Sequence, residues 1–379
     1  MKIVSIEPTP SPHSMKINVN EMLADGSYFQ YKRTDDLTNA PDYAKNLLQI
    51  DGIISIYRVV DFITIARNPK TAWEAILPAV QETLGVTKDA DIDQQPTNII
   101  EENDNAFGEV RVFLQMFRQI PMQIKLEDGE TEKRVGLPPA FADAVLRATT
   151  PTTNIIFERK WVEQSVRYGT LDEIGIEVLE ELKASYDEER LEKLVEHALA
   201  EKDVVEEKQQ VTLQTLEDPD WRVRYAALDR LGDPTLADIP VLNKALDDTK
   251  SSIRRLATAY LGMIEEKEVL PYLYKALKDK AANVRRTAGD CLSDLGFPEA
   301  MPEMIETLKD ENRIVRWRAA MYLYEVGDES AVPALEEAIN DPEFEVRLQI
   351  RMALERIKGG EAAKGSIWSQ MLGATKSTE

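Results

Sequence analysis

The stretch Asp279–Leu292, DKAANVRRTAGDCL, recurs in outline five times in the C-terminal half of the sequence. Each copy has an acid, an aliphatic–arginine pair five residues later, and a leucine eight residues after the start of that pair. The pairs begin 30, 31, 31 and 31 residues apart, and they are Val223-Arg224, Ile253-Arg254, Val284-Arg285, Val315-Arg316 and Val346-Arg347. A spacing this regular indicates a structural repeat.

Each repeat is predicted to contain two helices. Val284, Ala288 and Leu292 are four residues apart and therefore share one side of a first helix. A second helix is predicted to open at a proline, and these prolines are Pro240, Pro271, Pro302 and Pro333. A single helix pair cannot bury its own apolar face. The pairs are therefore predicted to stack into an all-α right-handed solenoid over residues 205–360.

The ends of the first helices carry two further signals. Asp218 and Asp341 each precede a proline, which predicts that both acids are helix N-caps. Glycines fall where the first helix is expected to stop, and they are Gly232, Gly262, Gly296, Gly327 and Gly359.

The register resembles the short HEAT-like repeats first described in phycobilisome lyases, with units of the form Asp-Pro-x-x-x-Val-Arg-x-x-Ala-x-x-x-Leu-Gly. The resemblance implies that acids and arginines form a ladder between adjacent repeats. Its members would be Asp218, Arg224, Asp248, Arg254, Asp279, Arg285, Asp310, Arg316, Asp341 and Arg347. Arg286 follows a ladder arginine directly, and we expect it to face away from the ladder and to tolerate alanine.

Residues 1–95 are predicted to form an α+β domain with a polar linker. The motifs Glu7–Lys16 (EPTPSPHSMK), Ile50–Ile53 (IDGI) and Asp61–Ile65 (DFITI) resemble the N-terminal domain of Nfu/NifU-type iron–sulfur scaffold proteins. In those proteins a separate domain holds the cluster with a Cys-x-x-Cys pair, and a cluster needs about four thiolate ligands. This sequence has one cysteine, Cys291, so cluster holding is not carried over and no cofactor is expected.

Residues 96–204 are predicted to form a second, smaller α+β segment that ends in two acidic helices. Residues 170–218 carry sixteen Asp/Glu against five Lys/Arg, which we interpret as a solvated face, with an acidic docking surface as the alternative. The tail, 361–379, is either disordered or a short helix that caps the last repeat. The order of the three parts resembles the conserved virulence factor C family of Gram-positive bacteria, which implies a contribution to virulence-factor production but no reaction.

Composition and motifs exclude several function classes. The formal net charge of −22 argues against nucleic acid and anionic membranes as partners. The sequence has no signal peptide or membrane-spanning stretch, and with one cysteine we expect a cytoplasmic protein. His13 and His197 are the two histidines, too few for a histidine-rich metal site. No nucleotide-binding or serine-hydrolase motif occurs, so we predict no catalytic residue and no metal.

Binding features are better supported than catalytic ones. Lys244, Tyr272, Tyr274 and Lys275 follow the first two prolines and are predicted to form a basic, aromatic protein-binding surface on the concave side, with ordinary solvated helix surface as the alternative. The first hypothesis is a non-enzymatic cytosolic interaction scaffold that binds proteins or peptides through the array. The alternative is an accessory factor in iron–sulfur cluster assembly that docks partners without holding the cluster.

Overall fold

The computed structural model describes residues 1–9, 11–24, 27–69, 71–87, 108–151, 153–200 and 211–360. Two β-sheets with their helices precede an array of helix pairs. The predicted fold class, α+β followed by an all-α HEAT-like array, is confirmed. The predicted linker after residue 87 and the tail from residue 361 lie outside the described residues, so the capping helix proposed for the tail stays a prediction.

The N-terminal domain is a five-stranded antiparallel sheet with two helices on one face. Its elements are β1 (Ile3–Pro8), β2 (Ser14–Val19), β3 (Tyr28–Lys32), α1 (Asp42–Gln49), β4 (Ile53–Val59), β5 (Phe62–Arg67) and α2 (Trp73–Leu84). The strand order is β1-β2-β5-β4-β3, which makes β3 an edge strand. Alternate residues such as Ile17 of β2 and Ile63 of β5 are buried with Trp73 and Ile76 of α2, because successive side chains of a strand point to opposite faces.

The middle domain has a four-stranded antiparallel sheet of order β8-β7-β6-β9. Its elements are β6 (Glu109–Phe117), β7 (Ile120–Glu127), β8 (Glu132–Gly136), α3 (Pro139–Arg147), α4 (Ile155–Glu158), β9 (Lys160–Tyr168), α5 (Leu171–Ser185) and α6 (Glu188–Leu199). Ile174 and Val178 of α5 pack on Val112 and Ile124 of the sheet, so α5 covers one sheet face. Thr170 starts α5 with a capping box that includes Glu173.

The array contains five first helices and four second helices in the described part of the chain. The first helices are α7 (Trp221–Asp229), α9 (Ser251–Met263), α11 (Ala282–Leu295), α13 (Arg313–Val326) and α15 (Phe344–Lys358). The second helices are α8 (Ile239–Ala245), α10 (Leu270–Leu277), α12 (Met301–Thr307) and α14 (Val332–Glu337), and each has its proline in the first turn. Ala257, Ala288 and Ala319 are fully buried, and one apolar core runs through all repeats.

The N-cap predictions for Asp218 and Asp341 are wrong. The N-cap of α7 is Asp220 and that of α15 is Glu343, each two residues after the predicted acid. The Asp341 carboxylate instead accepts a hydrogen bond from the Glu343 backbone N–H at 2.9 Å, and Asp218 accepts one from the Asp220 N–H at 2.8 Å. Aspartate readily bonds to the backbone two residues on, and this turn precedes the helix.

Gly262 does not end the first helix of its repeat. It lies inside α9, where a Cβ atom would be 2.7 Å from the Cβ of Cys291 on α11. The glycine is therefore needed because two neighbouring helices approach closely at this position. The sequence pattern alone could not distinguish this role of a glycine from that of ending a helix. Gly296 does end α11, in the left-handed conformation with φ 62°.

Candidate protein-interaction surfaces

The repeats are joined by arginines that reach from one unit to the next. Arg285 donates through Nε and Nη2 to the Asp310 carboxylate at 2.7 and 2.9 Å, and through Nη1 to the Asp279 backbone carbonyl at 2.9 Å. The same arrangement joins three further pairs, Arg224 with Asp248, Arg254 with Asp279, and Arg316 with Asp341. Paired parallel hydrogen bonds of this kind combine strength with fixed geometry, so the ladder sets the repeat spacing.

The last ladder arginine contacts the N-terminal domain. Arg347 bonds to the Asp341 carbonyl at 2.6 Å, and its Nη2 lies 3.5 Å from Oε1 of Glu74 on α2. Two residues earlier, Glu345 accepts a 2.6 Å hydrogen bond from Arg67 at the end of β5. Because the Arg67 side chain is only 2% exposed, this ion pair is shielded from water. The N-terminal domain thus occupies the end of the array.

Apolar contacts accompany this ion pair. Phe344 and Leu348 of α15 pack against the core of the N-terminal domain. Arg67 and Glu345 were not among the residues predicted from sequence, because single charged residues are common in this chain. The available signal was the apolar Leu348, which stands where the second and third repeats have Arg255 and Arg286.

The middle domain is docked on the first two repeats through a buried carboxylate. Glu181 of α5 accepts hydrogen bonds from Arg167 of β9 at 2.6 Å and from Arg255 of α9 at 2.9 Å. Burial alone would raise the pKa of Glu181, but the guanidinium groups of Arg255 and Arg167 outweigh it and lower that pKa to about 2. Asp187 likewise pairs at 2.8 Å with Arg230, which directly follows α7. At the buried Glu181 the acidic region is a docking surface within the chain, whereas Asp187 pairs with the array while it stays exposed to solvent.

Arg286 also contacts the middle domain, contrary to expectation. Its guanidinium lies 4.0 Å from the ring centroid of Tyr168, donates to the Val166 carbonyl at 3.4 Å, and pairs with Asp290 at 2.8 Å. It does face away from the ladder, but that side of α11 is the one that the middle domain covers. The expected tolerance of alanine at Arg286 therefore has no structural support.

One column of the first helices carries several of these contacts. Its members stand two residues after the repeated aliphatic residue, and they are Tyr225, Arg255, Arg286, Trp317 and Leu348. Tyr225 and Trp317 are buried, Arg255 and Arg286 bond to the middle domain, and Leu348 packs on the N-terminal domain. The first-helix face is consequently covered by the chain's own α+β domains.

A cleft of about 490 Å³ remains between the middle domain and the array. It lies beside the β9–α5 junction and the first turns of α11 and α13, and its polar lining includes Tyr168, Thr170, Asn283, Asp290 and Arg313. Asp294 also lines the cleft, and burial and then Asp290 raise its pKa to about 6. Burial raises the pKa of Glu325 to about 8. Among the described residues, no group of three His, Cys, Asp or Glu side chains is arranged to hold a metal ion.

The structure separates the four predicted binding residues. Lys244 is exposed on α8, whereas Lys275 of α10 is paired with Asp247 at 2.7 Å. Tyr274 is half-buried and donates to the Glu299 carbonyl of the next repeat at 3.1 Å. Tyr272 is also half-buried, and it lies about 200° around the helix from Tyr274, since each residue adds about 100°. Their role in binding stays a prediction.

Three family models match the chain in the order of its domains. The model described as "Scaffold protein Nfu/NifU N terminal" matches residues 4–89, "Virulence factor" matches 115–195, and "HEAT repeats" matches 209–289 and 270–355. The Conserved virulence factor C of Staphylococcus aureus (strain bovine RF122) is 48% identical over 99% of this chain and 100% of its own length. The chain belongs to the conserved virulence factor C family.

Other known proteins are also similar to this chain. The uncharacterized protein YpgR of Bacillus subtilis is 55% identical over 100% of both chains. A crystal structure of protein SAV1430 from Staphylococcus aureus is 34% identical, covers 22% of this chain and 98% of its own, and has a TM-score of 0.21. This family member is accordingly a virulence-related repeat protein. No helix in the described part of the chain is both long and apolar enough to cross a bilayer.

Proposed function

We propose that this protein is a non-enzymatic cytosolic scaffold that binds partner proteins through its HEAT-like array and so contributes to virulence-factor production or its regulation. The supporting observation is the docking of both α+β domains on the first-helix face and the array end, through Glu181 and Arg67. A partner then meets the second helices, α8, α10, α12 and α14. Stacked repeats offer extended surfaces of this kind for protein binding.

The charge along the second helices gives this surface a direction. Exposed lysines lie at its N-terminal end, on α8 and α10, and they are Lys244, Lys275 and Lys278. Exposed glutamates lie at its other end, on α12 and α14, and they are Glu306, Glu336 and Glu337. Opposite charges at the two ends favour one orientation of a bound segment, with its acidic end on α8 and α10.

The state of the single thiol also supports a non-enzymatic role. Cys291 is buried between α9 and α11, and burial, then Asp290, raises its pKa. A thiol with a raised pKa is a poor nucleophile, because the thiolate is the reactive form. The same burial leaves it unsuited to ligate an exposed cluster.

Affinity capture from the native cell, followed by titration of the captured partner, tests the proposal. We expect Lys244→Glu/Tyr272→Ala to weaken binding by at least tenfold, because truncation of an aromatic anchor typically costs about 2 kcal/mol or more. Lys160→Glu is a matched exposed control on β9 of the middle domain. Equal affinity of the wild type and the double variant, with both folded, would mean that another surface binds the partner.

A second candidate is an accessory role in iron–sulfur cluster assembly, favoured by the match of residues 4–89 to the Nfu/NifU N-terminal model. Such a factor would dock assembly proteins without holding the cluster. The protein is then expected to purify colourless and to capture cluster-assembly proteins. Stoichiometric cluster binding after anaerobic reconstitution, lost in Cys291→Ser, would contradict both candidates.

A further inference from the structure

The edge strand β3 of the N-terminal domain is open along one side. In its sheet it pairs with β4 alone, in continuous register from Tyr28 opposite Val59 to Lys32 opposite Ser55, with no bulge. The strand, YFQYK, contains no proline. Natural edge strands commonly carry prolines or bulges that block pairing with another chain, and β3 has neither.

Two hydrogen bonds show which backbone groups of β3 point outward. The Arg33 N–H donates to the Ile54 carbonyl beside β4 at 2.9 Å, whereas the Lys32 N–H donates to the Asp35 carboxylate at 2.7 Å. Because alternate residues of a strand direct their backbone groups to opposite sides, Tyr28 and Gln30 direct theirs away from β4. The backbone N–H and C=O groups of Tyr28 and Gln30 have no hydrogen-bond partner among the described residues. Asp35 closes the open edge at Lys32.

Large apolar side chains surround this open edge. Met22 is 73% exposed, Tyr28 65% and Tyr57 38%. The rings of Tyr28 and Tyr57 are 6.2 Å apart, and Met22 is next to Leu23, whose N–H donates to the Val60 carbonyl at the adjoining hairpin. Contiguous exposed apolar patches mark interaction sites, and Tyr and Met are enriched at protein interfaces.

A groove of about 430 Å³ continues the edge at its Lys32 end. Leu37 and the buried Leu48 form its apolar part, and Arg33 and Lys45 supply two cations. Arg33 lies 3.7 Å from the exposed Asp51, and Lys45 donates to the Thr38 carbonyl at 3.2 Å. A long contact with an exposed acid and a contact with a carbonyl leave both cations able to bind another carboxylate.

We propose that β3 binds an extended peptide segment of a partner protein, which adds a sixth strand to the sheet at Tyr28 and Gln30. Its apolar side chains would cover Tyr28 and Tyr57, and an aliphatic residue beside an acidic one would enter the groove between Arg33 and Lys45. Strand addition of this type obtains affinity from main-chain hydrogen bonds and specificity from pockets for alternate side chains. This surface lies on a different domain from the second helices, so the two proposals stand independently.

Charge favours a partner peptide over a second copy of this chain. If two β3 strands paired antiparallel about Gln30, Lys32 of one copy would lie opposite Tyr28 of the other. The cations Lys32 and Arg33 of each copy would then lie opposite Tyr28 and Ser27 of the other, neither of which is an acid. A peptide with an acidic end satisfies those cations, and electrostatic complementarity of this kind determines which partner binds.

The test uses the full-length protein and an array of nine-residue fluorescent peptides. In these peptides aliphatic residues alternate with threonine, and an aspartate occupies the first or the last position. We expect at least one peptide to bind and to slow amide hydrogen exchange over residues 27–33. Gln30→Pro, which removes an outward N–H without breaking the β4 ladder, and Tyr28→Ala should each weaken binding by at least tenfold.

Matched variants and peptides decide the remaining points. Arg33→Glu/Lys45→Glu should weaken binding of the aspartate peptide at least tenfold, but binding of its asparagine analogue less than twofold. Trp161→Ala, on the edge strand of the other sheet, should change the binding of neither peptide. N-methylation of the peptide backbone should abolish binding to the unaltered protein, which keeps the test valid if Gln30→Pro misfolds. The proposal is overturned if no peptide binds, or if N-methylated peptides bind equally. Slow hydrogen exchange of the Gln30 amide in the free protein would also overturn the proposal. Sedimentation would then show whether a second copy or a segment of the same chain covers β3.

Discussion

At the scale of single residues, four ladder acids each have two roles, and they are Asp248, Asp279, Asp310 and Asp341. Asp310 accepts the paired hydrogen bonds of Arg285 and also accepts the Asn312 backbone N–H at 2.8 Å. The first contact joins two repeats, and the second fixes the turn that leads into α13. Removal of the arginine would therefore leave a shielded carboxylate without its cation while the turn still holds that carboxylate in place.

This arrangement predicts the effect of changing one ladder arginine. Arg285→Ala should lower the free energy of unfolding by about 3 kcal/mol, because it breaks the shielded pair with Asp310 and the hydrogen bonds to the Asp279 carbonyl and the Glu311 carboxylate. Arg285→Lys should recover only part of this loss, since an ammonium cannot donate to both carboxylate oxygens in a fork. Denaturant titrations provide the measurement, with the exposed Lys280→Ala as the control expected to stay within about 0.5 kcal/mol. Equal midpoints for Arg285→Ala and Lys280→Ala would show that the ladder adds little stability.

A second residue-scale prediction concerns His13, which is buried with no hydrogen-bond partner on either ring nitrogen. Burial, and then the nearby Arg67, lower its pKa from 6.5 to about 3. Between these values the unfolded chain binds a proton that the folded chain does not, so this contribution to stability is complete above about pH 6.5 and decreases as the pH falls. Relative to His13→Asn, the wild type should lose up to about 1.4 kcal/mol per pH unit between about pH 6 and 4. Parallel stability–pH curves for the two proteins would contradict the buried, neutral histidine.

At the scale of helices and strands, periodic features were predictable from sequence and non-periodic ones were not. The second helices begin at the repeated prolines as predicted, and the ladder partners follow from the 31-residue period. The docking column was missed because its members, from Arg255 to Leu348, differ in chemistry according to the domain that each contacts. The strand β3 was missed as well, because exposure at the edge removes the alternation of buried and exposed residues.

The contact between α9 and α11 gives an element-scale prediction. Gly262→Ala would place a Cβ atom 2.7 Å from the Cys291 Cβ, so we expect a loss of about 1–3 kcal/mol from overpacking, despite the better helix propensity of alanine. Cys291→Gly in the same chain should recover part of that loss. Gly289→Ala is the comparison, because its Cβ would be 3.3 Å from the Arg318 Cβ, a longer and therefore milder contact than the one at Gly262. Thermal unfolding measures all four proteins, and stabilisation by Gly262→Ala would show that the two helices are further apart.

At the scale of the whole molecule, the chain closes on itself. The middle domain covers the first repeats, the N-terminal domain covers the last repeat, and the two domains also meet where Ser11 donates to Glu109 at 3.2 Å. Arg67 and Glu345 are 278 residues apart in sequence, yet their ion pair is among the most shielded in the described residues. Solenoid ends expose apolar surface that needs a cap, and here the N-terminal domain supplies one.

This closure predicts that one carboxylate holds the N-terminal domain in place. Glu345→Ala removes the acid that compensates Arg67 at a site shielded from water, so the domain should separate from α15 rather than retain an unpaired buried cation. Small-angle X-ray scattering should then show a larger radius of gyration. Glu343→Ala is the matched control, because Glu343 precedes the same helix but pairs with Arg313 inside the array, at 3.5 Å. The exchanged pair Arg67→Glu/Glu345→Arg should restore the compact form in part. An unchanged radius in Glu345→Ala would mean that the apolar contacts of Phe344 and Leu348 suffice to hold the domain.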